Sequence, residues 1–250
     1  MLSIVVPVYN SVSTIEDTVF RLAAHCRERH YEWELIIIDD GSTDGTGTKL
    51  KEMFGAFPDL NVLENYVNRG KGYSLRRGFE RSNGEYVIHT DADLPYSLDA
   101  IDSMLRLLQQ GADVVIGSRV HRESRYCMHA DHFRYIFMRH LLGRGFLITA
   151  NLLLRLNVTD TQCGIKGYRR DAVRRLAPRL VADRFAFDLE MLYLARKMGL
   201  AIEEVPVTYN YKGSPSSVKL LHDGWSVMFF LIKFALSGKD GNYERKDNHA

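Results

Sequence analysis

The chain has 250 residues, 46% of them apolar and 26% charged, which suits one large α/β domain or two small ones and a globular composition. A net charge of +2 argues neither for nor against nucleic acid, and no nucleic-acid partner is expected. Cys26, Cys127 and Cys163 are odd in number and lack metal-ligand spacing, so a disulfide framework is not expected and a reducing compartment fits. The chain enters Leu2-Ser-Ile-Val-Val-Pro-Val8 at once, without the basic and apolar regions of a signal peptide. Strands are predicted at Ser3–Val8, Glu34–Asp39, Asn61–Glu64, Glu85–His89 and Asp113–Gly117. Helices are predicted at Thr14–Arg29, Thr46–Phe54, Lys71–Arg81 and Leu98–Gln110. This alternation predicts a mostly parallel, doubly wound sheet with helices on both faces.

After Arg119 the rhythm breaks. A basic, His-rich loop leads to a helix over Phe133–Leu156, then to Asp160-Thr-Gln-Cys-Gly-Ile-Lys166, a helix from Asp188 and a strand at Ala201–Val207. A Gly/Ser/Pro loop, Lys212–Ser217, precedes an amphipathic helix over Val218–Leu236, and residues 238–250 read as a polar tail. The organisation expected is one domain over 1–237, with a donor half to 119 and an acceptor half from 120. The longest uncharged apolar-rich run of the second half, Gly145–Leu154, is too short to span a bilayer. Phe133–Leu156 and Val218–Leu236 could each lie on a membrane surface or pack as core helices.

Ligands of such sheets bind at the carboxyl ends of the strands. Those ends here are Pro7-Val-Tyr9-Asn10, Asp39-Asp40-Gly-Ser42, Asp91-Ala-Asp93 and Gly117-Ser-Arg119. Asp91 and Asp93, one residue apart after a buried strand, fall on one side of it by the period-2 rule. Two such oxygen ligands suit Mg2+ or Mn2+ and leave positions open for phosphates. Alone, Asp-x-Asp favours a turn or helix N-cap over a metal site. Gly70-Lys71-Gly72 fits neither a dinucleotide fingerprint nor a P-loop and reads as a turn bringing Lys71 and a helix N-terminus towards a donor. Nine histidines include no zinc motif.

Taken in order, Ile4-Val-Val-Pro7-Val-Tyr9-Asn10, Ile37-Ile-Asp39-Asp40-Gly-Ser-Thr-Asp44-Gly-Thr, Asn68-Arg-Gly70-Lys71-Gly72, Asp91-Ala-Asp93 and Gly117-Ser-Arg119 resemble the family 2 inverting glycosyltransferases, which have the GT-A fold. Asp160-Thr-Gln-Cys-Gly164-Ile-Lys166 and Phe187-Asp-Leu-Glu190 resemble the branch that charges polyprenyl and dolichyl phosphates, the glucosyl enzymes more than the mannosyl ones. The resemblance implies that Pro7, Tyr9 and Asp40, with Ile38 beside them, hold the nucleoside. It places Asp91 and Ala92 near ribose and diphosphate, Asp93 as main metal ligand, and Arg119 on sugar or phosphate oxygens. Where the mannosyl enzymes carry Glu this chain has Ser11, which with the two glucosyl-like runs favours a UDP-sugar over a GDP-sugar. Where they carry a metal-binding Gln it has Pro95, which leaves water or diphosphate to complete the metal shell.

The expected reaction is metal-dependent, inverting transfer of a hexose from a nucleotide sugar to a polyprenyl phosphate. Candidate catalytic residues are Asp91, Asp93 and Arg119, with Lys71 on the donor. A phosphate acceptor is already largely ionised at neutral pH and needs basic side chains to position it, and Arg125, Arg134, Arg139, Lys166 and Lys219 are the candidates. A polyprenyl acceptor implies a cytoplasmic protein peripheral on a membrane, with a membrane-anchored protein as a further partner. Alternatives are a GDP-mannose donor, a glycan hydroxyl acceptor with Glu190 or Asp188 as general base, and a nucleotide-sugar-binding module without turnover.

Overall fold

The computed structural model describes residues 1–54, 57–127, 144–145, 147–184 and 186–210. Strand β1 (Leu2–Val8) is followed by α1 (Ile15–Glu28), β2 (Trp33–Asp39), α2 (Thr46–Phe54), β3 (Leu60–Glu64) and α3 (Lys71–Arg81). Then come β4 (Tyr86–His89), α4 (Asp99–Gln109), β5 (Val114–Ser118) and the short β6 (Arg125–Cys127). A helix α5, described over 147–154, precedes β7 (Lys166–Arg169), α6 (Arg170–Leu176), a 3-10 turn at Ala177–Arg179, α7 (Phe187–Lys197), β8 (Ile202–Pro206) and β9 (Thr208–Asn210).

Seven strands form one sheet in the order β3-β2-β1-β4-β7-β5-β8, parallel except for β7, which runs antiparallel to both β4 and β5. The mostly parallel, doubly wound sheet expected from the alternating rhythm is the one found. Both faces are covered, and the alternation along each strand divides the core. Val5, Ile36, Ile38 and Val87 pack with Leu75 and Phe79 of α3 and with α7 on one face. Ile4, Val6, Leu35, Ile37 and Ile88 pack with α1 and α4 on the other. A strand buried on both sides reads as a continuous apolar run, as β2 does.

All nine elements predicted before Arg119 are present, with ends shifted by at most one residue and α2 and α3 as predicted. The second half differs more. β6, β7, α6 and β9 were not predicted, and β7 lies between β4 and β5 in the centre of the sheet. Its sequence, Lys-Gly-Tyr-Arg, carries no apolar run, so nothing local marks it as a buried strand. Half of the Phe133–Leu156 helix, together with the Lys212–Ser217 loop, the Val218–Leu236 helix and the 238–250 tail, lies outside the described residues. Among the described residues no helix is long and apolar enough to cross a membrane.

Candidate active site

The loops leaving β1, β2, β4 and β5 meet at one edge of the sheet. Those after β1 and β2 are stitched together: Thr43 N donates to Asn10 Oδ1 (2.9 Å), Asn10 N to Ser42 Oγ (2.9 Å) and Val12 N to Asp44 Oδ2 (3.0 Å). Pro7 is half-buried at the end of β1, and Tyr9 just beyond it is 47% exposed. Asp40 is buried, and its carboxylate accepts from Asn65 Nδ2 (2.6 Å), Arg69 N (2.9 Å) and Gly70 N (2.7 Å). It therefore holds the 65–70 loop in shape instead of offering an open oxygen. Gly70 caps α3 at φ 101°, a conformation that suits glycine. Ile38 is corrected: its side chain is fully buried in the core over Gly78 of α3, because alternation turns it to the α3 face of the sheet.

Asp91 and Asp93 lie in a turn beyond the last residue of β4, so strand alternation does not govern them and the period-2 argument fails. The turn is fixed by other bonds. Leu94, at φ 42°, donates its N–H to Asp91 O (3.2 Å), and Thr18 Oγ1 of α1 donates to Ala92 O (2.5 Å). Asp93 is exposed and Ala92 half-buried. Asp91 Oδ1 accepts from Lys71 Nζ at 2.9 Å, and the same ammonium is 3.7 Å from Asp188 Oδ2. Burial alone would favour a neutral Lys71, but Asp188 and Asp91 outweigh it and keep the amine protonated.

Asp188 also accepts from Lys166 Nζ, which donates in turn to Cys163 O (2.6 Å). Burial would raise the Asp188 pKa, yet Lys166 and Lys71 pull it down to about 2. Lys166 is 0% exposed, so its ammonium serves this pair and is not presented to an acceptor, which corrects its expected role. The two acids suggested as general bases are occupied as well. Asp188 is ion-paired, and Glu190, fully buried, accepts from Val181 N (2.9 Å) and Ala182 N (2.8 Å).

Arg119, just past β5, meets Asp160 in a two-pronged pair: Nε to Oδ2 at 2.7 Å and Nη2 to Oδ1 at 2.9 Å, with the Arg119 N–H on Oδ2 at 3.1 Å. Burial opposes the Arg119 charge, but Asp160 more than restores it, and the guanidinium stays protonated. In the sequence Asp160 stands out only as part of the Asp160–Lys166 run. Nothing local could identify it as the Arg119 partner, because the two are far apart in sequence. Arg125 is exposed on β6, while Arg134, Arg139 and Lys219 lie outside the described residues.

The donor set suits a hard cation: Asp93 is an exposed carboxylate and Asp91 a partly exposed one, both oxygen ligands in a turn at the sheet edge. Among the described residues no cluster of three His, Cys, Asp or Glu side chains surrounds a common point. An ion here would thus complete its shell with water and phosphate oxygens, as Mg2+ does in nucleotide sites.

This sheet, with its loops gathered at one edge, is the GT-A fold. A glucosyl-3-phosphoglycerate synthase of Mycobacterium tuberculosis in complex with UDP superposes with a TM-score of 0.69 at 21% identity, covering 94% of this chain and 80% of that one. The same enzyme with Mn2+, UDP-glucose and phosphoglyceric acid gives 0.62 at 18% identity, covering 99% and 81%. The model of "Glycosyl transferase family 2" matches residues 3–177, and the chain belongs to that family. It is 34% identical over 219 residues to a dolichyl-phosphate beta-glucosyltransferase of Dictyostelium discoideum, an alignment covering 83% of this chain and 66% of the relative's length.

Proposed function

We propose that the protein transfers glucose, with inversion, from UDP-glucose to a polyprenyl phosphate of the dolichyl type. Similarity to a dolichyl-phosphate beta-glucosyltransferase supports the acceptor and the sugar. The observation that carries the reading is the commitment of Asp188 and Glu190 to internal partners. A hydroxyl acceptor would call on one of them as general base, whereas a phosphate monoester, with a second pKa of about 6, arrives ionised.

In this reading the uracil lies by Pro7 and Tyr9, beside the 65–70 loop that Asp40 braces, and the ribose and diphosphate lie by Asp91 and Ala92. Asp93, with Asp91, would hold Mg2+ or Mn2+, and the ion would neutralise charge on the departing diphosphate. Lys71 and Arg119 face the same charge as fixed cations held by Asp91, Asp188 and Asp160, so no reorganisation is needed as the bond breaks. A phosphate oxygen of the acceptor bonds to the anomeric carbon while the bond from that carbon to the diphosphate breaks and its electron pair leaves with UDP. Arg125, with Arg134, Arg139 and Lys219, is proposed to steer the acceptor phosphate. A lipid acceptor places the protein at a membrane surface on the cytoplasmic side, with a membrane-anchored protein as a further partner.

A donor panel tests the reading: UDP- and GDP-sugars with a short polyprenyl phosphate, with and without EDTA. Turnover of UDP-glucose that needs both the lipid phosphate and the metal is expected. Preference for GDP-mannose would overturn the donor, and a product formed on a glycan hydroxyl without lipid phosphate would overturn the acceptor.

A further inference from the structure

The turn Asp160–Gly164 touches both charged groups of the donor site. At one end Asp160 grips Arg119, and Gln162 N braces the same carboxylate at 3.0 Å. At the other end Gly164 N donates to Tyr96 Oη at 3.0 Å, and its bare Cα lies against Asp91. A Cβ built on Gly164 would collide with Asp91 Oδ2 and lie 2.6 Å from Asp91 Cγ. The backbone does not demand glycine here. Gly41, Gly45, Gly70, Gly111 and Gly199 have positive φ, and Gly164 is not among them. The demand is for space, and the group filling that space is the Asp91 carboxylate. Its other oxygen is on Lys71, so the carboxylate is caught between an ammonium and a wall without a side chain. The circuit closes through Lys71, Asp188, Lys166 and Cys163 O, one residue before Gly164.

We propose that Gly164 is a positioning residue for the donor site: its missing side chain seats Asp91 in one orientation, and the 160–164 turn thereby sets the spacing between Asp91 and Arg119. The inference rests on the reading that Asp91 and Arg119 handle the donor diphosphate. A single methyl group at Gly164 would push Asp91 off Lys71 and out of register with Asp93.

Thermal melts of wild type, Gly164→Ala, Asp91→Ala and the double variant test the seating without any reaction. Overpacking in Gly164→Ala should lower Tm by about 5 °C. In the Asp91→Ala background the same substitution should cost less than about 2 °C, because the obstructing carboxylate is gone. If Gly164→Ala alone fails to fold, recovery of a folded double variant supports the seating, and failure of both overturns it. An equal Tm loss in both backgrounds also overturns it. Calorimetry of UDP with and without Mn2+ tests the consequence. Gly164→Ala should weaken Mn2+-dependent UDP binding by about tenfold, the usual effect of disturbing the support of a metal ligand, and leave Mn2+-free binding within about twofold. Unchanged Mn2+-dependent affinity would overturn the positioning role. A wild type that binds no UDP would instead fail the donor reading, and the melts would still decide the seating.

Discussion

Lys166 Nζ and the Asp188 carboxylate form an ion pair with almost no exposed surface, between a central strand and the first turn of α7. A charge so placed is tolerable only with its partner, since the cost of removing it from water is offset by the pair and not by either residue alone. The pair also steadies Lys71, the cation that reaches Asp91.

Lys166→Met should therefore act on stability first. Loss of one partner of a buried pair costs about 3–5 kcal/mol, and urea unfolding should show it. If Lys166 instead bound an acceptor phosphate, the variant would keep its stability and raise only KM for the lipid.

Acid should weaken the fold through Asp188. Its folded pKa of about 2 is below the ordinary 3.8, so the unfolded chain takes up the proton first as pH falls. The pair's contribution is complete above the unfolded value and is lost as pH falls from there through the folded one. Melts of wild type between neutral pH and that window should show a decline that Asp188→Asn lacks. Identical profiles for the two would remove Asp188 from the acid response.

Asp93→Ala should abolish turnover with the fold intact, because an exposed carboxylate in a turn contributes little to packing. Loss of the metal ligand should lower kcat by about 100-fold or more. Near-normal activity in Mn2+-replete buffer would show that the ion is held elsewhere.

Thiol chemistry checks the packing of the central strands. Cys26 and Cys163 are buried, and burial raises their thiols to about 12 and about 11, so neither forms the reactive thiolate at neutral pH. Cys127 is exposed. Iodoacetamide should mark Cys127 in the native protein and the other two only after unfolding. Rapid native labelling of Cys163 would mean that the turn beside Gly164 opens.

The first half of the fold was legible because Val, Ile and Leu runs alternate there with amphipathic stretches, each a local signal. β7 was not, since its buried Lys166 is permitted only by Asp188, a partner in another element. The site divides in the same way. Asp91, Asp93 and Arg119 stand at strand ends and could be picked out from the sequence. The Asp160 and Gly164 contacts that support them are made across the fold. The family resemblance sets Ile38 beside the nucleoside, but β2 is apolar on both faces and Ile38 packs on the α3 side, a placement no local pattern marks.

The antiparallel strand at the centre of the sheet also governs the order of assembly. β5 is joined to β4 only through β7, so a chain emerging from the ribosome exposes an open hydrogen-bonding edge on β4 until Lys166–Arg169 has been made. An unpaired edge of this kind invites pairing with other chains. A fragment ending at Arg119 would keep that edge permanently, and should aggregate in place of forming a separate nucleotide-binding unit. Synthesis must run well past the donor-side motifs before those motifs can settle into their final arrangement.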